Sequence, residues 1–259
     1  MQRRRLALVH GFTQTSASWG PVAQDLAADH EVVALDAPGH GRAAPVRAGL
    51  RDGAAVLAAE AGRATWVGYS MGARFALHVA LERPEAVGGL VLLGATAGIE
   101  DPADRRRRRR EDEARARRLE AVGVDAFLDE WLAQPLFAGL GARPEDLAAR
   151  RTNTVEGLAA SLRLAGTGTQ EPLWDRLGQI EAPALLLAGE RDGRFADLAE
   201  RMAGALPAAT FALVPGAGHA AHLEQPDAFL AVVRHQAAPR KRGTRDAHRR
   251  RPTPRRSSR

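Results

Sequence analysis

Six short apolar runs recur along the chain, separated by stretches with helical spacing. They are LALVH (6–10), EVVALD (31–36), ATWVGY (64–69), GLVLLGA (89–95), APALLLAGE (182–190) and ATFALVPG (209–216). Each is long enough for a strand, and nearly every position in it is apolar, which suits a strand covered on both faces. The third run leads directly into MGARFALHVALERP (71–84), whose apolar residues repeat with helical period. Strands alternating with helices predict an α/β fold with a mostly parallel central sheet flanked by helices.

The alternation stops between residues 97 and 172. That stretch is polar, rich in helix formers and without a strand pattern, and it holds both the arginine run 105–110 and VDAFLDEWLAQPLF (124–137). It reads as a helical cap inserted in the second half of the chain, between core segments 1–96 and 173–237. Insertions at strand ends commonly cover a site. From 238 to 259 apolar periodicity disappears, and the segment reads as a basic disordered tail.

The charge balance changes with that division. The 259 residues carry a net +6, yet ten Lys/Arg and only Asp246 among the acids fall within 239–259. The tail therefore carries +9 and the body −3, so the basic balance says little about the folded part. Ten cations would attract polyanions non-specifically. No aromatic residue follows Phe229, so base stacking by the tail is excluded and no specific nucleic-acid partner is expected. Cysteine is absent, which removes disulfides, thiolate metal sites and cysteine nucleophiles. No apolar run approaches the ~20 residues of a membrane helix. The basic start MQRRRLALVHGF has too short an apolar stretch for a signal peptide, so a cytoplasmic location is expected.

The strongest chemical signal is Gly68-Tyr69-Ser70-Met71-Gly72 between a predicted strand and a predicted helix. A turn that tight demands small residues two before and two after the serine, and it projects the hydroxyl outward. A serine nucleophile needs a base, and the base needs an orienting carboxylate. Asp192 follows the strand ALLLAGE, with Glu190 as the competing acid; His219 follows the last strand, with His222 as its competitor. His78 falls inside a helix and reads as packing, and His40 in DAPGHG reads as part of a structural turn. Backbone N–H groups of Met71, after the nucleophile, and Phe12, after the first strand, are the expected oxyanion donors. No metal-ligand cluster or phosphate-cradling glycine loop is present, so neither metal nor cofactor is expected.

HGF, DAPGHG, GYSMG, GERD and GAGHAAHLEQP together resemble the α/β-hydrolase family over residues 5–236. Within it, GYSMGAR, PLFAGL, NTVEGLAASLR, GTGTQEPLW and GAGHAAHLEQP resemble the 2-succinyl-6-hydroxy-2,4-cyclohexadiene-1-carboxylate synthases, lyases of menaquinone biosynthesis. Ala73 departs from that pattern, which usually has Gly. The resemblance implies a small anionic substrate with three carboxylates, and elimination of pyruvate by proton abstraction beside a succinyl ketone. Such a substrate needs forked cations. By the resemblance these are Arg74, Arg108 and one of Arg150 and Arg151, which the sequence does not separate, and Trp131 would also contact substrate; Tyr69, from its place beside Ser70, is expected to line the pocket or donate its hydroxyl to substrate. An exposed helix arginine is the plain alternative for Arg74. For Trp131 the plain alternative is a core stripe with Phe127, Leu128 and Leu132. A serine hydrolase acting on an ester or a carbon–carbon bond would use the same Ser70, Asp192 and His219.

Overall fold

The computed structural model describes residues 3–141 and 143–237. The basic segment 238–259, expected to be disordered, lies outside them. In chain order the elements are β1 (Arg5–Val9), α1 (Gly20–Leu26), β2 (Glu31–Leu35), α2 (Leu50–Ala61), β3 (Ala64–Tyr69), α3 (Met71–Glu82), β4 (Val87–Leu93), α4 (Pro102–Leu132), α5 (Pro144–Arg150), α6 (Val155–Ala165), β5 (Ala184–Gly189), α7 (Gly193–Ala205), β6 (Ala209–Val214), α8 (Ala221–Glu224) and α9 (Pro226–Ala237).

The six strands form one parallel sheet in the order β2-β1-β3-β4-β5-β6. All six apolar runs became strands. Strand period explains why they are apolar throughout. Ala7, Val9, Trp66, Leu90, Leu92 and Leu186 face the layer made by α2, α3 and α7. Their neighbours Leu6, Leu8, Val67, Val91, Leu93, Leu185 and Leu187 face the layer containing α1 and α9. Successive side chains of a strand point to opposite faces, so the doubly covered middle of the sheet leaves few positions for a polar residue. The strand order reverses direction between β1 and β3. The carboxyl edge at such a switch point is where ligands bind in open α/β sheets.

The described residues between β4 and β5 form α4, α5 and α6 with short turns between them and contain no strand. Asp101 caps α4 by accepting the amides of Ala103 and Asp104, both at 2.8 Å, and Pro102 occupies the first helical position. Gly123, at φ 79° and ψ 174°, breaks α4 into two rods. Thr154 caps α6 through the Gly157 amide. Ala116, Leu119 and Phe127 of α4 meet Leu158, Ala159 and Leu162 of α6 in a separate small core. A fully buried Leu or Phe contributes about 1.5–3 kcal/mol. These side chains therefore hold α4 to α6, and the exposed pairs of Arg163 with Glu113 and Glu120 add little by comparison.

Candidate active site

One residue joins β3 to α3. Ser70 carries that reversal at φ 50° and ψ −105°, in the left-handed half of backbone space that non-glycine residues rarely enter. Its amide donates to the Leu93 carbonyl at 2.8 Å, and its carbonyl accepts from Arg74. The flanking glycines are there for space. A Cβ on Gly72 would stand 2.0 Å from the Val9 carbonyl oxygen, and one on Gly68 would stand 2.5 Å from the Ala73 Cα. Ala73 itself is fully buried and accommodated.

His219 lies on the loop after β6, with Nε2 3.2 Å from the Ser70 hydroxyl and Nδ1 2.6 Å from Asp192 Oδ2. Asp192 follows β5 at the start of α7, but its side chain caps nothing there and turns to His219 instead. The three side chains thus form one hydrogen-bonded row, Asp192 to His219 to Ser70. Gly94, at φ +60°, leaves room for the ring, since a Cβ would lie 2.8 Å from His219 Cε1. Phe195 lies against the other side of the imidazole, ring centroids 4.4 Å apart. Glu224 braces the loop by accepting the amides of Gly218 and Ala220.

The competing residues have other partners. Glu190 accepts the Gly216 amide and supports the turn before His219. His222 is buried between Trp19 and Tyr69, at centroid distances of 4.5 and 4.4 Å, and reaches Gln14 rather than Ser70. His78 is buried in α3 away from the cleft, with no ring partner among the described residues.

The loop after β1 lines the same cleft as Ser70 and is held from several sides. His10 Nε2 accepts the Ala37 amide at 3.0 Å, so its Nδ1 carries the proton and donates to the Gly11 carbonyl at 2.8 Å. His40 accepts the Thr13 amide in the same way, and Nδ1 donates to the Pro38 carbonyl. Gln14 accepts the Gly11 amide, Asn153 donates to the Thr13 carbonyl, and Arg150 donates to the Thr13 hydroxyl. Thr13 sits at φ 68°. The Phe12 amide is left unbonded among the described residues, as is that of Met71 at the first position of α3. First-turn helix amides lack intrahelical partners. Phe12 and Met71 line the same cleft as Ser70.

Burial holds His10 and His40 neutral, lowering their pKa values to about 4 and about 3; for His40 the charge of nearby His10 adds to the effect. In the unfolded chain both titrate near 6.5. Below about 6.5 the unfolded state binds more protons. The stability due to the neutral pair is thus complete above that pH and lost as pH falls toward 4. The urea midpoint should drop across that window. A flat midpoint would mean the folded rings take up protons freely.

Ser70, His219 and Asp192 open onto a cleft of about 400 Å³ between the sheet edge and the helical segment. A larger, more open concavity of about 820 Å³ lies between α4 and α6, lined by Arg109, Arg110, Glu113, Arg117 and Arg163. Its lining includes none of Ser70, His219 and Asp192. Tyr69, Arg74, Arg108, Trp131 and Arg150 all line that cleft. Arg74 is buried, donates to the Ala165 carbonyl at 2.7 Å, and has its pKa lowered by burial to about 10. Arg108 pairs with the buried Asp112 at 2.8 Å. Arg150 is 1% exposed and pairs with Asp146 at 2.6 Å. Arg151 is directed elsewhere: half exposed and paired with Asp125, it does not line the cleft, since one residue along a helix turns a side chain by about 100°. Trp131 both packs and faces the cleft, 5.1 Å from Phe12 and 6.1 Å from Phe127 between ring centroids. Burial raises the Tyr69 pKa, keeping the phenol protonated.

Sequence reasoning passed over Arg115, Phe137, Arg194 and Phe195, which also line the cleft. Arg115 was findable, seven residues and two helical turns after Arg108 on the same face. Among the described residues no helix is long and apolar enough to cross a membrane, and no group of His, Asp or Glu is arranged to hold a metal ion.

Comparison with known proteins agrees with this architecture. The profile of the alpha/beta hydrolase family matches residues 6–232. A Bacillus subtilis (strain 168) protein provisionally named 2-succinyl-6-hydroxy-2,4-cyclohexadiene-1-carboxylate synthase is 33% identical over 239 residues, 87% of each chain. An Escherichia coli O1:K1 protein with the unqualified name is 32% identical over 236 residues, 88% of this chain and 91% of its own. The solved structure of MenH from S. aureus superposes with a TM-score of 0.85 at 29% identity, covering 91% of this chain and 94% of that one.

Proposed function

The chain belongs to the alpha/beta hydrolase family and groups there with the 2-succinyl-6-hydroxy-2,4-cyclohexadiene-1-carboxylate synthases, and we propose that it catalyses the reaction they are named for. The substrate would be 2-succinyl-5-enolpyruvyl-6-hydroxy-3-cyclohexene-1-carboxylate, and the step a lyase elimination of pyruvate within menaquinone biosynthesis. The observation that carries this reading is the buried Arg74 in the cleft that Ser70 opens onto, whose guanidinium has only the Ala165 carbonyl as hydrogen-bond partner among the described residues. Burying guanidinium groups is costly. A neutral ester would offer nothing to offset that cost, whereas a tricarboxylate would.

In this reading Ser70, His219 and Asp192 act as a catalytic triad that moves a proton. Ser70 takes the hydrogen from the ring carbon beside the succinyl ketone while its own proton passes to His219. The freed electron pair forms a new ring double bond, the existing one shifts by one position, and the carbon–oxygen bond to the enolpyruvyl group breaks. His219 returns its proton to the departing group, which ends as pyruvate, and no water is consumed. Asp192 holds the imidazole in the tautomer with Nδ1–H, leaving Nε2 free to accept. The Phe12 and Met71 amides stabilise the oxygen of the enolate that develops from the ketone. Arg74, Arg108, Arg150, Tyr69 and Trp131 bind the substrate.

The second reading, a serine hydrolase, uses the same triad. Following pyruvate release from the ring substrate in parallel with nitrophenyl acetate turnover separates the two. Pyruvate release at far higher kcat/KM than ester turnover is expected. Ester turnover with no pyruvate would overturn the lyase reading.

A further inference from the structure

The cleft's arginines differ in what they are already committed to. Arg108 and Arg115 share Asp112, and Arg150 holds Asp146. Arg74 is buried against a backbone carbonyl. Arg194 is exposed at the rim and has no carboxylate within ion-pair distance among the described residues. Its guanidinium stands 5.8 Å from the ring of Phe195, the residue packed on His219.

Its position in the helix is a poor one for stability. Arg194 is the second residue of α7, where the helix dipole places partial positive charge. That first turn holds no acidic residue, and Asp192, which could cap it, is turned to His219. A cation is thus added at the positive end of the helix, with no acidic side chain in the first turn to pair with it. The Asp192 carboxylate is taken up by His219, and the Arg194 guanidinium stands as an unpaired cation among the described residues at this exposed edge of the cleft.

We propose that Arg194 receives the carboxylate of the departing three-carbon acid. This rests on the lyase reading above. His219 must stand beside the leaving oxygen to return a proton to it, so the leaving group lies at the His219 side of the cleft. It must also exit, which the buried ends at Arg74 and Arg150 do not allow. Arg194 meets both requirements: it neighbours His219 through Phe195, and it faces solvent. Its guanidinium holds the enolpyruvyl carboxylate as the carbon–oxygen bond breaks and conducts pyruvate to the mouth.

The test compares wild type with Arg194→Ala and Arg194→Lys on the ring substrate, with pyruvate and succinate as product-like inhibitors. Arg194→Ala should lower kcat/KM about tenfold or more, the loss of one charge-assisted hydrogen bond. It should weaken inhibition by pyruvate while leaving inhibition by succinate unchanged, and Arg194→Lys should restore part of both. The melting midpoint of Arg194→Ala should rise, because a cation leaves the positive end of a helix. Unchanged kcat/KM, or equal losses toward both inhibitors, would overturn the assignment. A wild type that releases no pyruvate from the ring substrate overturns the lyase reading itself, a result distinct from either.

Discussion

Alanine in place of Ser70 or His219 should each reduce pyruvate release by ~10³-fold or more, and the double variant should be scarcely worse than either single one. The reason is the single hydrogen-bonded row they form, 3.2 Å between Nε2 and the hydroxyl and 2.6 Å between Nδ1 and Asp192. Removing one member leaves the other without a proton to take or give. Steady-state kinetics of the two single variants and the double variant check this. Independent, multiplying losses would show that serine and histidine do not share one proton path. The Ser70→Ala variant should remain folded, because Ser70 makes its backbone bonds to Leu93 and Arg74 through atoms that alanine keeps.

Arg74→Ala should lower kcat/KM for the tricarboxylate by about 10²-fold, with a much smaller effect on nitrophenyl acetate. Burial drives the Arg74 pKa down to about 10, and nearby Arg108 adds to this. The folded protein thus keeps a dehydrated cation whose only hydrogen-bond partner among the described residues is the Ala165 carbonyl. A substrate carboxylate relieves that imbalance, so the guanidinium contributes more to binding than a hydrated surface arginine would. Arg74→Lys should recover little, because an ammonium cannot hold the carbonyl and a carboxylate in the same forked geometry. Comparing kcat/KM for the two substrates decides the point. Equal losses on both would mean that Arg74 supports the fold of α3 against α6 and does not read charge.

Much of this architecture could be read before any coordinates. Apolar runs mark doubly covered strands, and the six runs match the six strands to within about two residues at each end. β4 begins two residues before the run that announced it, because Gly88 carries no side chain to join Val87 to the apolar pattern. Ser70, Asp192 and His219 were nameable because each follows a strand, and parallel strands deliver their carboxyl ends to one edge. What stayed hidden depends on rotation about helices and on partners distant in sequence. Arg150 and Arg151 are adjacent, and only the packing of α5 against the loop at Thr13 turns one inward. The break at Gly123 cannot be told from an ordinary helical glycine by spacing alone. Nor does the sequence distinguish His222 from His219 by type: Trp19 and Tyr69, far away in the chain, enclose one and leave the other facing the serine.

The central claim is that the hydroxyl of Ser70 removes a proton from carbon and does not attack a carbonyl. Turnover of the ring substrate in water enriched with heavy oxygen, with the organic products weighed by mass spectrometry, tests it most directly. The account predicts a ring product lighter by pyruvic acid and free of solvent oxygen. A ring carboxylic acid or free succinate carrying the heavy isotope would contradict it, since solvent then completes a hydrolysis.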